Sequence, residues 1–228
     1  MNEVKMARHS KRKLFAIIIA AVVVVIIYTA INEHNFAWYN NKKIVGSHPC
    51  MTPEVEMNDL KSLASDSHAV MDEFKLTHFL VYGSLWGALR YKDPLPWDND
   101  FDMGLLQDEM QHINEDQFLQ AFKKKNINIY YRYWLGTYRV TRGKARGDLM
   151  VFRKTYLSDD MCRTGLEPWF FFVNHNRYHR FPSRLVKQPL PRVKFAGTDM
   201  PVPHEGVEIQ KHFYPHDWQT ETKPSGCS

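Results

Sequence analysis

The sequence predicts an α+β domain with a small mixed sheet, preceded by one N-terminal transmembrane helix. Residues 53–76 and 108–124 carry apolar side chains at the spacing of one buried helix face. Residues 14–31 contain no charge, and these 18 residues are close to the minimum that crosses a bilayer as a helix. Several short runs have the apolar or alternating pattern of strands. These runs are residues 79–84, 101–106, 127–134, 136–143, 147–152 and 169–173.

The N-terminal apolar segment is predicted to be an uncleaved signal anchor. A cleaved signal peptide is the alternative, but its apolar region is usually shorter, and no clear small-x-small cleavage site follows Ile31. Five basic residues and one acidic residue precede the segment. The positive-inside rule therefore keeps residues 1–13 in the cytosol and places the remainder in the secretory lumen. We expect a single-pass type II protein of the Golgi or endoplasmic reticulum membrane.

Composition and charge divide the rest of the chain and exclude one class of partner. After the anchor we expect a stem over residues 32–52, one main domain over residues 53–220 and a flexible tail over residues 221–228. The formal net charge is +5. Once the residues before the anchor are subtracted from totals of 30 basic and 25 acidic side chains, 25 and 24 remain. A nearly neutral domain gives no case for nucleic-acid binding.

Three aspartates stand at alternate positions in the segment GSLWGALRYKDPLPWDNDFDMG, residues 83–104. If the segment is extended, Asp98, Asp100 and Asp102 point the same way, and their carboxylates repel unless a cation lies between them. Mg²⁺ and Mn²⁺ prefer such oxygen ligands, often together with substrate phosphates. A solvated loop is the alternative, since Pro, Asn and Asp are ordinary turn residues. Residues 79–84 favour a metal site, because they predict a buried strand and a Gly-Ser turn that opens a helix able to cradle phosphate.

This segment resembles the signature of the LicD/fukutin family, in which a Gly-Ser or Gly-Thr turn, an Ala-x-Arg element and Pro-Trp-Asp-x-Asp-x-Asp follow one another. The matching residues are Gly83, Ser84, Gly87, Ala88, Arg90, Pro96, Trp97, Asp98, Asp100 and Asp102. A sparser resemblance extends over about residues 70–218. It implies a nucleotidyltransferase-like mixed sheet with flanking helices, in which residues 53–220 form a LicD-like catalytic domain. One departure is Asn99, where an acidic residue is common in the family.

The resemblance also implies a reaction and its participants. Characterised members transfer phosphocholine or ribitol phosphate from a CDP-activated donor to a glycan. We therefore expect a metal-dependent phosphotransferase that uses a CDP-linked donor and a glycan or glycoprotein acceptor in the secretory lumen. A catalytically idle Golgi scaffold or chaperone for glycosylation enzymes is the alternative. A membrane-anchored binding module with a calcium loop is a third reading, but the segment from Trp97 to Leu106 lacks an EF-hand ligand pattern.

The expected metal ligands for Mg²⁺ or Mn²⁺ are Asp100, Asp102 and Asp148. Asp148 resembles the family's Asp-hydrophobic-x-x-Phe element, and would complete the metal site or accept the proton of the attacking hydroxyl. Asp159 and Asp160 are its rivals, although they lie in an expected loop. The residues expected to bind the donor are Gly83, Ser84, Arg90, Trp97 and Asp98, where Arg90 pairs with the donor or with Asp98. A basic group that flanks Asp148 either contacts donor phosphates or forms a solvated turn; its members are Arg142, Lys144 and Arg146.

Cysteines and histidines show no recognisable metal motif. The three cysteines, Cys50, Cys162 and Cys227, match no zinc spacing. A disulfide between Cys50 and Cys162 and a free or intermolecular thiol in the tail both stay open. His212 and His216 have helical spacing, but the intervening proline breaks a helix. His175, His179, His204, His212 and His216 are therefore expected to be ordinary surface or core residues.

Overall fold

The computed structural model describes residues 2–31, 50–170, 178–224 and 227, with side chains over 11–28, 50–168, 178–224 and 227. The chain has two compact units, residues 1–40 and 41–228. In the first unit, helix α1 spans Asn2–Ile31. Among the residues described, no helix combines the length and the apolar character that a membrane crossing requires. The transmembrane helix expected over residues 14–31 is therefore not supported.

The described part of the second unit contains nine strands. They are β1 His78–Leu80, β2 Phe101–Leu106, β3 Asn128–Arg132, β4 Thr137–Arg142, β5 Ala145–Lys154, β6 Asp160–Arg163, β7 Arg180–Pro182, β8 Arg192–Phe195 and β9 Thr198–Pro201. The main sheet has the order β1-β2-β5-β4-β3, and β6 pairs with β5 and β7. Only the β2–β5 pair among these described pairings is parallel. The predicted α+β class with a mixed sheet is confirmed.

Helices flank the sheets. They are α2 Glu54–Glu73, α3 Tyr82–Tyr91, α4 Gln107–Met110, α5 Glu115–Lys124, α6 Glu167–Phe170, a 3₁₀ helix Ser183–Val186 and α7 Gly206–Phe213. The buried stripe of α2 includes Leu60, Leu63, Val70 and Met71 at helical spacing. This helix contacts β5 and α5. Burial of the stripe against the sheet supports the strand that carries Asp148.

Several local expectations are corrected. The single helix expected over residues 108–124 is two helices, because the Asn114 side chain accepts a hydrogen bond from the Gln117 N–H and caps α5. The loop expected at Asp159 and Asp160 becomes β6 from Asp160 onward. The strand expected over residues 169–173 begins in helix α6, and its last three residues lie outside the described part of the chain.

A close contact between Phe101 and Gly147 fixes the distance between β2 and β5. These two residues are partners in the parallel register. A Cβ atom added to Gly147 would lie 2.3 Å from the Phe101 ring, closer than real Cβ contacts allow. Only glycine leaves room for the fully buried ring at this position. The contact lies one residue before Asp102 and Asp148 and so helps to place both carboxylates.

Candidate active site

The three motif aspartates do not share one strand. Strand β2 begins at Phe101, so Asp102 lies within it, whereas Asp98 and Asp100 lie in the loop that precedes it. Thr52 fastens this loop, since its backbone N–H donates to the Pro96 carbonyl at 2.7 Å and its hydroxyl donates to the Asp98 carbonyl at 2.6 Å. The extended geometry expected for all three aspartates is therefore wrong for the first two. The loop is nevertheless held in a defined conformation.

Sheet register gathers Asp102, Asp148 and Arg139 into one row. Asp102 is the partner of Asp148 on the parallel strand β5, and Asp148 is the partner of Arg139 on the antiparallel strand β4. Partner residues on neighbouring strands point to the same face of a sheet. The structure thus places the predicted third carboxylate directly beside Asp102. It also adds an arginine that the sequence interpretation missed.

Arg139 binds both carboxylate oxygens of Asp148. Its Nη2 donates a hydrogen bond to Oδ2 at 2.7 Å. Its Nε lies 2.6 Å from Oδ1 and forms an ion pair without the alignment of a hydrogen bond. The positive charge of Arg139 therefore balances the negative charge of the Asp148 carboxylate. It can bind a metal or a proton only as this pair loosens or shares its oxygens.

Among the described residues, Asp98 and Asp102 make no ion pair of this kind, and burial raises the pKa of both carboxyls. Burial, followed by the charge of Asp100, raises the pKa of Asp98 to about 7. Burial also raises the pKa of Asp102, and the charges of Asp100, Asp148 and Asp98 raise it further. The pKa of Asp148 is raised by burial, which Arg139 opposes. Burial and mutual repulsion thus oppose full ionisation of these carboxyls, and a bound cation would favour their ionised forms.

The Gly-Ser pair lies in the first turn of α3 rather than in a separate turn before it. A Cβ atom added to Gly83 would lie 3.6 Å from Asp98 Oδ2, so this carboxylate lies against the glycine. The Ser84 side chain is 2% exposed, and its hydroxyl oxygen accepts a hydrogen bond from the Asp102 N–H at 2.8 Å. The first-turn amides of a helix have no partner within the helix. The pair therefore joins the start of α3 to the aspartates.

The structure gives Arg90 and Trp97 different surroundings from those expected. Trp97 is 8% exposed and belongs to the buried hydrophobic residues, so it offers little surface to a donor. The Arg90 guanidinium lies 4.0 Å above the Trp86 ring and donates to the Trp218 carbonyl at 3.4 Å. Within the described residues it makes no ion pair with Asp98. The expected pairing of Arg90 with Asp98 is therefore wrong.

Of the three basic residues that flank Asp148, one faces the aspartates. Arg146 Nε lies 3.5 Å from Asp100 Oδ2, and its Nη2 donates to Asn99 Oδ1 at 2.9 Å. The other two reach helix α2, where Arg142 pairs with Asp66 at 2.6 Å and Lys144 pairs with Glu56 at 2.8 Å. Arg146 is 45% exposed and can turn toward a phosphate. Of these three residues, Arg146 is therefore the one still expected to contact a donor phosphate.

A buried polar group behind Asp102 also escaped the sequence interpretation. Tyr82 has a positive φ of 51° at the start of α3, and its hydroxyl shares a hydrogen bond with His179 Nδ1 at 2.6 Å. Burial raises its pKa, so the phenol keeps its proton. Arg163 is 5% exposed, and its charge lowers the pKa of Asp102. No motif marks these residues, because only the folded chain brings them near Asp102.

A family model described as LicD/FKTN/FKRP, nucleotidyltransferase domain, matches residues 75–205. The match covers more than half of the chain and includes β1 through β9. The chain belongs to the LicD/FKTN/FKRP family. The resemblance found in the Gly-Ser and aspartate motif is thus confirmed. The row of Asp102, Asp148 and Arg139 lies within the LicD/FKTN/FKRP domain.

The chain is similar to several curated proteins. An uncharacterized protein of Rickettsia prowazekii is 22% identical over 162 residues, which are 70% of this chain and 54% of that protein. Lipopolysaccharide cholinephosphotransferase LicD of Haemophilus influenzae is 33% identical over 60 residues, 26% of this chain and 23% of that protein. Ribitol 5-phosphate transferase FKRP of Homo sapiens is 24% identical over 155 residues, 64% of this chain and 29% of that protein. The chain spans about half the length of the first relative and less of the other two.

Among solved structures, the chain is similar to ANT(2″)-Ia in complex with adenylyl-2″-tobramycin. The TM-score is 0.43 at 13% sequence identity, over 68% of this chain and 75% of that chain.

A second cluster of potential metal ligands lies away from the motif. One ligand atom from each of His68, Asp72 and His78 lies within 4.8 Å of the other two. The sequence interpretation placed the metal at Asp100, Asp102 and Asp148 and did not consider His68 or His78. The spacing of four between His68 and Asp72 on one helix face was the signal that could have drawn attention to them.

Proposed function

We propose that this chain transfers a phosphorylated alcohol, of the phosphocholine or ribitol phosphate type, from a CDP-activated donor to a hydroxyl of a glycan or glycoprotein. The observation that carries the proposal is the row of Asp102 and Asp148, with Asp98 and Asp100 close enough to raise the pKa of Asp102. Family membership supports the same chemistry, because two of the similar proteins are named as a cholinephosphotransferase and a ribitol 5-phosphate transferase. Residues 53–220 form the proposed catalytic domain.

The carboxylate ligands of the proposed site suit Mg²⁺ or Mn²⁺. Asp100 and Asp102 supply carboxylate oxygens, which hard divalent cations prefer. The two carboxylates repel each other, and a cation bound to both would offset this repulsion. Asp148 fits as a further ligand if one of its oxygens is shared with Arg139. A divalent ion held by these residues would supply positive charge that stabilises the negative charge on the leaving CMP.

The side chains have separate roles in the proposed reaction. The acceptor oxygen forms a bond to the phosphorus that carries the alcohol, and the bond from that phosphorus to CMP breaks, so that CMP leaves with the electron pair. Asp148 accepts the proton of the acceptor hydroxyl, and Arg139 stabilises its ionised form beforehand. The first-turn amides at Gly83 and Ser84 donate to the donor's phosphate. Arg146 contributes positive charge from the exposed side.

CMP release from a panel of CDP-linked alcohols, with Mg²⁺ or Mn²⁺ present, tests the proposal directly. The full chain would be assayed beside Asp100→Asn combined with Asp102→Asn. We expect at least a roughly hundredfold loss of CMP release, because the variant lacks the proposed metal ligands. The matched control is Asp59→Asn combined with Asp116→Asn, since both aspartates are exposed on helices. The control should release CMP at the unaltered rate.

Undiminished transfer in the Asp100 and Asp102 variant would overturn this mechanism. The scaffold alternative predicts no CMP release from any donor, although the chain folds. A metal-dependent rise in Tm that disappears in the Asp100 and Asp102 variant would separate a site that binds the ion from one that does not. Such a rise without turnover would favour the scaffold.

We further propose that the domain resides in an oxidising secretory compartment such as the Golgi or endoplasmic reticulum lumen. The support is a disulfide between Cys50 and Cys227, since disulfides persist mainly in oxidising compartments. This pairing replaces the alternative of Cys50 with Cys162, which is the free cysteine among the described residues. Detection of the protein in secretory membranes by organelle fractionation, with the disulfide intact, tests the proposal. Recovery in the cytosol with reduced thiols would overturn it.

A further inference from the structure

A pair of buried histidines lies beneath the first strand of the sheet. His68 is on α2 and is 5% exposed, and His78 opens β1 and is 2% exposed. His68 Nδ1 and His78 Nε2 lie 2.6 Å apart. Two ring nitrogens at this distance cannot both present lone pairs to each other, so a proton lies between them. Nothing in the proposed phosphotransfer uses this pair.

The hydrogen bonds of His78 identify which of its nitrogens is available. Its Nδ1 lies 2.8 Å from the Leu76 carbonyl oxygen, which can only accept, so Nδ1 carries the proton. Its Nε2 therefore presents a lone pair toward His68. A ring N–H that donates to a backbone carbonyl is the usual arrangement of a metal-binding histidine.

Asp72 completes a group of three. It lies one helical turn after His68, with its Oδ2 at 3.3 Å from His68 Nε2 and its Oδ1 at 3.9 Å from His78 Nε2. A tetrahedral site with metal–ligand bonds near 2.1 Å separates its ligand atoms by about 3.3 Å. The separations of 2.6 Å and 3.9 Å fall on either side of this value. One ligand atom from each residue lies within 4.8 Å of the other two, so side-chain rotations that bring the three to this spacing would place an ion between them.

Space around the group also suits an ion with one open position. A pocket of about 220 Å³ is lined by Asp72 and His78 together with Lys75, Gln188 and Arg192. A water molecule occupies about 30 Å³ of liquid, so the pocket can supply a fourth ligand. Arg192 Nη2 lies 3.3 Å from Asp72 Oδ2 and 3.2 Å from His68 Nε2. This guanidinium balances one oxygen of Asp72 and leaves Oδ1 for the ion.

We propose that His68, Asp72 and His78 bind a Zn²⁺-like divalent cation through His68 Nδ1, His78 Nε2 and Asp72 Oδ1, and that this ion joins α2 to β1. Two imidazoles and one carboxylate are a ligand set that zinc accepts, in contrast to the all-carboxylate set at Asp100 and Asp102. The ion replaces the proton that otherwise lies between the two rings. That proton moves to His68 Nε2, which lies 3.3 Å from Asp72 Oδ2, so the ring stays neutral when Nδ1 binds the ion. His78 lies five residues before Gly83. The bound ion therefore stabilises β1, the strand that leads to Gly83.

Metal analysis of the purified full chain tests the site without any assay of transfer. The chain would be stripped with a chelator, dialysed against Zn²⁺ or Co²⁺, and measured by elemental analysis, visible absorption and Tm. We expect about one equivalent of Zn²⁺, a tetrahedral Co²⁺ spectrum and a higher Tm with Zn²⁺ than without it. Asp72→Asn should weaken binding by at least about tenfold, because it removes a charged ligand at a half-exposed position that tolerates substitution.

Three further variants of the chain show whether the ion binds at the proposed residues. Asp59→Asn, an exposed aspartate on the same helix, should bind the ion as the unaltered chain does. His78→Gln should lose the Co²⁺ spectrum, and if it does not fold, Asp72→Asn alone decides. The combined Asp100→Asn and Asp102→Asn variant should retain the ion. Absence of stoichiometric uptake, unchanged binding in Asp72→Asn, or loss of binding only in the Asp100 and Asp102 variant would each overturn the proposal. Its failure leaves the phosphotransferase proposal untouched.

Discussion

The Ser84 hydroxyl oxygen accepts a hydrogen bond from the backbone N–H of Asp102 at 2.8 Å. This bond joins the first turn of α3 to β2 across 18 residues of sequence. The hydroxyl is buried, so Ser84 positions the aspartate strand in addition to any contact with a donor. The motif serine therefore has a structural duty that its place in a Gly-Ser pair does not reveal.

Replacement of Ser84 by alanine should lower the free energy of unfolding by about 1–3 kcal/mol, because the Asp102 N–H loses its acceptor in a buried setting. Ser65→Ala is the control, since its hydroxyl bonds only to the Thr198 hydroxyl and leaves no backbone group unpaired. Urea unfolding would measure both variants. An equal or smaller loss in Ser84→Ala than in Ser65→Ala would contradict the role given to Ser84.

Thr52→Val should disturb the loop that carries Asp98 and Asp100. Valine keeps the shape of the threonine side chain but lacks its hydroxyl. The variant loses the hydroxyl bond to the Asp98 carbonyl but keeps the backbone bond to Pro96. We expect a loss of about 1 kcal/mol in stability and a several-fold rise in the Mn²⁺ concentration needed for CMP release. The control is Thr155→Val, which removes a similar bond to the Ser158 carbonyl in a turn outside the site. A metal requirement that shifts equally in both variants would show that the bond does not act on the site.

Gly147→Ala should separate β2 from β5. The added methyl group would overlap the Phe101 ring, and overpacking of this kind typically costs about 1–3 kcal/mol. Phe101→Leu in the same chain should restore part of the loss, since it removes the atoms that clash. Gly143→Ala tests the backbone alone, because nothing lies within 4 Å of a Cβ there although φ is +60°. Chemical unfolding would measure the stability of each variant. A double variant no more stable than Gly147→Ala would contradict the packing argument.

Arg139→Met should leave the Asp148 carboxylate buried and unpaired, with a stability loss on the order of 3 kcal/mol. Without Arg139 the pKa of Asp148 rises further, because Arg139 is the main influence that opposes burial. The folded variant then binds a proton that the unfolded chain releases, so its deficit should grow as the pH increases from about 5 to about 8. Unfolding curves at both pH values measure this. Arg139→Met with Asp148→Asn should recover most of the loss, and a pH-independent deficit in the single variant would contradict the assignment.

The disulfide between Cys50 and Cys227 predicts a definite thiol pattern. Peptide mapping under non-reducing conditions should recover these two cysteines in one linked peptide, and Cys162 should be the only cysteine that reacts with a maleimide after denaturation. Cys162→Ser should leave the linked peptide in place. A peptide that links Cys50 to Cys162 would restore the alternative that the sequence left open.

The sequence alone determined the features that depend on neighbours along the chain. Alternating residues and a turn glycine located the hairpin of β3 with β4, because strand periodicity and turn chemistry are local. The run from Gly83 to Asp102 identified the family for the same reason. Even there, local pattern could not say that Asp98 and Asp100 precede the strand, because loop and strand residues look alike in a short acidic segment.

The tertiary structure alone decided which distant residues meet. The parallel register of β2 with β5 brought Asp148 to Asp102, and no local turn sets the register of two strands that lie so far apart in the sequence. Chain packing likewise joined Cys50 to Cys227 and set His68 against His78. The physical reason is common to all three pairs. Each partner is chosen by the way that helices and strands pack together, and that choice depends on the whole buried core rather than on the residues that surround each partner in the sequence.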